Sequence, residues 1–425
     1  MMNIWKIRYE MNIVDRRTST ENRIGALLFA LFYFFHAISS PVPGVKVGDL
    51  FLAASVAALL LTKGREKIKL QGIHIHLFIL FYLFCLLTFV DAIVHHYVDL
   101  GGIVVRIVRW AFYIFSACVV SQLISKRCLY RYVIALALFS AAVLILQVTV
   151  YTLARYPISF SVFGEKIGYS TESLRAAAFS NSIYRFSAFF SEPAHYAYFE
   201  SLALVMLLFF NDQLGRRQFL TAGIIVFSML LSTSTYALAL LAVIALCFLF
   251  KHFRHGAGRR SGFLVALILA SAIIVLYFLL QDTSLAAYAA SKFQNIGTSS
   301  RTTFIWNSGI DFSVFDILFG CGAGNEEYYL LKQYGVQLGY LNSLSMAFLY
   351  GGVTGLVMTA LYVLNAMARL GERGRVPFLI LIVMSIFSTA FFSAVMVLFM
   401  VAATSVNEAS PAAQRDRKGM VLELQ

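Results

Sequence analysis

Charge is what this chain has least of. Only 13% of its residues are Asp, Glu, Lys or Arg, against about 25% in an ordinary soluble domain. That excludes a conventional soluble fold. Cysteine is also sparse. Cys85, Cys118, Cys128, Cys247 and Cys321 fall at no disulfide or metal-ligand spacing. Most lie in or beside apolar runs and read as small core hydrophobes. No metal and no cofactor are expected. There is no GxGxxG nucleotide fingerprint and no convincing repeat of about 20–50 residues. The N-terminus does not read as a cleaved signal peptide, because a long basic segment precedes its first apolar run and no small-residue cleavage site follows.

What is present is apolar. Hydrophobic residues make up 60% of the 425. Runs of roughly 18 or more recur, each long enough to cross a bilayer core. The expected fold class is all-α: one polytopic integral membrane domain over 1–425, with about eleven transmembrane helices. The expected spans are 24–40, 45–62, 73–92, 102–124, a fifth ending near Tyr151, 193–210, 219–250, 261–280, 340–367 and 376–403. The stretch 219–250 is too long for one crossing, and the tract from Leu231 to Thr235 (LSTST) divides it in two. Two long polar segments, 152–192 and 281–339, interrupt the apolar pattern.

The net charge of +13 invites a nucleic-acid reading. The basic residues, however, sit in short clusters between apolar runs, where they set topology instead. The N-terminus and the connections on its side hold 21 of the 34 Lys and Arg. The N-terminus is therefore expected in the cytoplasm and both long polar segments outside. The tail with Arg415, Arg417 and Lys418 then falls outside too, unless one more crossing lies near the end.

The first outer segment carries Arg155, Lys166, Arg175 and Arg185 on the translocated side. Cations there point to an anionic ligand such as phosphate, which Arg binds bidentately. The plainer alternative is a solvated loop. Arg185 and Glu192 stand in an apolar, aromatic setting. Pro193 suits the first turn of a helix, so Glu192 is either its N-cap or a carboxylate that accepts a proton or orients a hydroxyl. His195 shares the helical face of Glu192. In the fourth span, Arg106 and Arg109 share a face and line a polar interior, snorkel, or pair with Asp91 or Asp99. In the second outer segment Arg301 is a candidate phosphate ligand. Gly320, Gly322 and Gly324 alternate, either to let backbone amides approach an anion or as a plain glycine-rich turn. Gly351, Gly352 and Gly355 read as helix-packing positions.

Four elements together resemble the O-antigen polymerase and O-antigen ligase superfamily, the Wzy-like proteins. They are Arg185 through Glu192-Pro193; Leu231 to Ser234; Ser300-Arg301 with Trp306, leading to Leu318 through Gly324; and Asn342 followed by Gly351, Gly352 and Gly355. The match covers about 185–355. Two positions depart from the pattern. Thr235 stands where many relatives have Arg, and Leu341 stands where the family has His before Asn342. The missing His argues against a ligase.

The resemblance implies a fold related to the membrane-embedded, lipid-dependent (GT-C) glycosyltransferases. It implies polymerisation of polyprenyl-diphosphate-linked oligosaccharide units at the periplasmic face of a bacterial inner membrane. The implied partners are the lipid-linked substrate, membrane lipid and a chain-length regulator, with no nucleic acid. Arg185, Arg301 and Arg175 are expected on the diphosphate, Glu192 as base or acceptor-orienting group, and Asn342 on sugar or phosphate. His195 and Arg109 are further candidate ligands. Tyr184, Tyr196 and Trp306 are candidates for stacking on sugars, or for an interfacial aromatic belt. The alternatives are a ligase and a lipid-linked glycan transporter.

Overall fold

The computed structural model describes residues 20–36, 38–41, 44–63, 71–154, 158, 160–162, 165–167, 186–211, 215–255, 310–337 and 341–405. The helices are α1 (Thr20–Phe32), α2 (Val47–Lys63), α3 (Gly72–Val94), α4 (Leu100–Leu123), α5 (Lys126–Ala154), α6 (Pro193–Phe209), α7 (Arg216–Leu231), α8 (Thr235–His255), α9 (Val314–Phe319), α10 (Glu326–Tyr334), α11 (Ser343–Arg369), α12 (Glu372–Phe387) and α13 (Ala394–Ser405). One small departure from the all-α expectation sits in the first polar segment. There β1 (Phe160–Val162) pairs antiparallel with β2 (Glu165–Ile167). By length and composition α3, α4, α5 and α11 can each cross a membrane, and five shorter helices are also apolar. The chain is a helical membrane protein.

Two helices form the centre. Every residue of α13 is buried, as is every residue of α6 except His195. Neither has a polar stripe, which suits a helix surrounded by other helices. On the periphery α3, α4 and α5 expose Phe89, Val108, Phe139 and Leu146, side chains that lipid can cover.

The helix ends sort into two layers. At one end Asn22 donates to Leu123 O (3.4 Å) and accepts from Ser125 N (3.1 Å). At the same end Gly72 abuts Arg369, and Lys251 Nζ donates to Leu208 O (3.1 Å) and Asn211 O (3.3 Å). At the other end Tyr236 OH donates to Phe387 O (2.7 Å) and Ser343 N to Ser388 O (2.9 Å). The clusters Lys126–Arg127, Arg216–Arg217 and Arg369–Arg375 all belong to the first layer, hereafter the basic end.

Local signals explain most boundaries. Asp99 caps α4 by accepting from Gly102 N (3.0 Å), and Asn342 caps α11 by accepting from Ser345 N (2.7 Å). The Ser-Thr tract does divide α7 from α8, with Thr233 left-handed (φ 52°). Two expected spans change shape. The first stops at Phe32 rather than Ser40, because the chain turns back through Tyr33–His36 and Ser39 pairs with Lys46. The last is not a single crossing. A short 3-10 turn, Ala390–Phe392, breaks it, and α13 folds back along α12 so that Gly374 meets Ala403 O. The expected span at 261–280 lies outside the described residues.

α11 is itself broken. Gly351 (φ −152°, ψ 17°) and Gly352 (φ 59°, ψ −151°) are non-helical. These glycines are more than packing positions. In a continuous helix Leu349 O would accept from the amide four residues on. Here it accepts from Cys321 N (2.7 Å) instead. The loop after α9 thus enters the gap. A Cβ on Gly352 would lie 2.4 Å from Leu318 C, and one on Gly320 (φ 85°) 2.6 Å from Gly351 N. Gly352→Ala is therefore expected to lower the apparent Tm in detergent by several degrees, through a strain and overlap cost of about 2 kcal/mol or more. Gly223→Ala, on an open face of α7, should leave Tm unchanged or slightly higher. Equal Tm values for the two variants would remove the role given to the break.

Candidate functional site

The end opposite the basic clusters gathers polar side chains in two neighbouring groups. The first surrounds the start of α6. Glu192 has extended backbone (φ −141°, ψ 150°) and Pro193 takes the first helical position. Glu192 thus occupies the cap position, but its carboxylate makes no capping hydrogen bond. Capping therefore does not account for that carboxylate. His195 Nδ1 and Ser191 Oγ are 2.9 Å apart. Against His195 lies a residue that no sequence argument singled out: His36, edge-on at 4.7 Å between ring centroids. His36 stacks flat on Tyr33 (4.3 Å, 5°) and its Nδ1 reaches Tyr33 O at 2.6 Å.

Asp49 anchors the same region. It accepts from Tyr113 OH (2.8 Å) and Lys46 N (3.0 Å) and pairs with Arg109 Nε at 3.7 Å. Arg109 Nη2 also donates to Gly44 O. Arg109 therefore straps the α1–α2 turn, which carries His36, onto α4.

The second group lies under the loop between α9 and α10. Arg106 pairs with buried Glu326 at 3.4 Å. Burial raises the Glu326 carboxyl, and Arg106 opposes that shift. Neither arginine takes the partner expected for it. Asp99 is spent on its cap, and both carboxylate oxygens of buried Asp91 lack a hydrogen bond among the described residues. Asn325 accepts from Asp99 N (2.8 Å) and donates to Tyr97 O (3.1 Å), which pins the loop to the α3–α4 turn. Asp316 accepts from Tyr334 OH (2.7 Å) and Tyr329 OH (3.2 Å). Burial and Asp316 push the Tyr334 phenol up to about 12, so it stays a neutral donor. His95 Nε2 stands 3.2 Å from Asp316, an electrostatic contact rather than an aligned hydrogen bond.

The alternating glycines are not an anion cradle. Gly320, Gly322 and Gly324 have φ of 85°, 83° and 88°, and four of the five amides at 320–324 are occupied. Gly320 N donates to Asp316 O (2.8 Å), Cys321 N to Leu349 O (2.7 Å), Ala323 N to Thr88 Oγ1 (2.9 Å) and Gly324 N to Glu326 Oε2 (2.6 Å). The glycines serve close backbone approach instead.

Two expected ligands turn inward. Tyr196 is fully buried and donates to Ser228 Oγ at 2.6 Å, so its ring cannot stack on a sugar. Asn342 is also buried. Its Oδ1 caps α11 and its Nδ2 donates to Ile386 O (2.9 Å), so both polar atoms are committed to the fold. Glu192, His195 and Arg109 do converge on one region. Arg155, Arg175, Tyr184, Arg185, Arg301 and Trp306 lie outside the described residues. His36 escaped because it stands alone, with no spacing to a partner. The one available signal was an ionisable residue close to the end of an apolar run.

Searches of family models, curated proteins and solved structures found no match to this chain.

The Arg106–Glu326 pair is testable. A double-mutant cycle of Arg106→Gln and Glu326→Gln, read by thermal unfolding in detergent, is expected to give a coupling of about 1 kcal/mol, modest because Arg106 is partly exposed. Limited proteolysis of the single variants should cut within 310–337 faster than in wild type. Additive effects with unchanged cleavage would show that the pair does not hold the loop.

Proposed function

We propose that the chain polymerises polyprenyl-diphosphate-linked oligosaccharide repeat units on the outer side of a bacterial inner membrane, as a membrane glycosyltransferase with a GT-C-related fold. The observation that carries this reading is the arginine pair of α4. Arg109 holds the turn that lies against His195, and Arg106, one helical turn away, holds the loop of the second polar segment. The two segments bearing the family-like elements therefore meet at one end of the bundle, away from the basic clusters.

The transfer joins a sugar hydroxyl of the incoming unit to the growing glycan, which leaves its polyprenyl diphosphate. Glu192 orients or deprotonates that hydroxyl. Arg185 and Arg301, with Arg175 as a third, take the charge developing on the diphosphate. Tyr184 and Trp306 offer sugar-stacking faces. A chain-length regulator is a partner of this reading. The basic end is cytoplasmic. With the last expected span divided into α12 and α13, this reading counts twelve crossings, the one expected at 261–280 included. Both termini then lie on the cytoplasmic side, and Arg415, Arg417 and Lys418 obey the charge rule.

One feature favours transport. Discontinuous helices such as α11 recur at transporter binding sites. In this chain, however, the gap is filled by the protein's own loop. Glycan length in a deletion strain separates the readings. Arg185→Ala and Glu192→Gln, at unchanged protein level, are each expected to collapse the ladder to single repeat units. An undiminished ladder in both variants would sink the site. Polymer accumulating on the lipid carrier in the deletion strain would mean a ligase, and unprocessed units trapped inside would mean a transporter.

A further inference from the structure

The proposed transfer needs a group that takes the proton of the acceptor hydroxyl. Glu192 is the candidate on the outer segment. The α1–α2 turn brings a second one to the same place. His36 lies in contact with His195, which is one turn into α6 from Glu192.

The chemistry of His36 follows from its single short hydrogen bond. Tyr33 O is a carbonyl oxygen and can only accept. The hydrogen in the 2.6 Å contact therefore sits on Nδ1 of His36. A neutral imidazole with its hydrogen on Nδ1 carries its lone pair on Nε2. Among the described residues no hydrogen-bond partner of Nε2 is seen. The ring cannot swing away easily, since Tyr33 stacks on its face and His195 meets it edge-on. The backbone is close too: a Cβ on Gly48 would lie 2.5 Å from His36 Cα. This is an oriented base with one nitrogen tied and the other without a hydrogen-bond partner among the described residues, as a general base needs. Burial and the neighbouring His195 push the His36 imidazole down to about 3, so it rests neutral with its lone pair free, while Asp49, strapped to Arg109 and Tyr113, pulls the other way.

We infer that His36 is the general base of the transfer, taking the acceptor hydroxyl proton on Nε2 while Glu192 orients that hydroxyl. This rests on the polymerase reading. In the step, the acceptor O–H bond breaks and its proton moves to Nε2. The freed oxygen bonds the anomeric carbon of the growing chain. The bond from that carbon to the diphosphate oxygen breaks, and polyprenyl diphosphate leaves with the electron pair. The imidazolium then gives its proton to the leaving diphosphate or to water.

The test uses the full chain purified into phospholipid vesicles. Its substrate is lipid-linked repeat units extracted from the deletion strain, and glycan length is read on gels. His36→Asn keeps an N–H for Tyr33 O but has no basic nitrogen. Its rate of chain growth is expected to fall on the order of 100-fold or more. His36→Gly should be similarly slow, and added imidazole should restore part of its activity. Growth by His36→Asn within about threefold of wild type overturns the inference alone. So does loss in both variants with no imidazole rescue, which would mark His36 as structural. If the wild-type chain lengthens nothing, the polymerase reading falls, and this inference with it.

Discussion

The architecture depends on one backbone hydrogen bond in a place without water. Breaking a helix inside a bilayer exposes polar groups that hydrocarbon cannot satisfy, so a partner must come from the protein. In α11 the break at Gly351–Gly352 is met by the Cys321 amide on Leu349 O. The partner lies in a loop, which must therefore descend into the bundle. Only glycine permits that approach, because the backbones at Gly320 and Gly352 are too close for side chains. Once inserted, the loop brings Asn325 to the α3–α4 turn and Glu326 to Arg106.

α4 then distributes the consequence. Its two arginines face different partners although they are only three residues apart. One holds the inserted loop and the other holds the turn that carries His36. Each cation is paired within the protein, as expected of charges in apolar surroundings. The polar end is thus assembled from four separated stretches of sequence, and two of them contribute nothing that a motif would mark.

The sequence showed most of the helices and the break between α7 and α8, because apolar run length and Ser-Thr interruptions act locally; it missed the turn after Phe32 and the break at Ala390–Phe392. It did not show who pairs with whom. Arg106 and Arg109 had Asp91 and Asp99 close by in sequence, but their partners, Glu326 and Asp49, are chosen by topology. The glycines were ambiguous for a related reason. An anion cradle and a backbone wedge demand the same residues, and only the occupancy of the amides distinguishes them. Tyr196 and Asn342 misled because an aromatic or an amide near a helix start fits a ligand site and a buried cap equally well. Glu192 was legible in part: its position is the cap, yet its carboxylate does not do the capping.

The central place of α13 bears on biogenesis. It is buried along its whole length, yet it follows in the chain every described helix it packs against. Its contacts with α4 and α12 therefore form only after both of those helices have been made. The bundle is consequently a structure that closes late, from the inside, rather than one that grows outward from a finished nucleus.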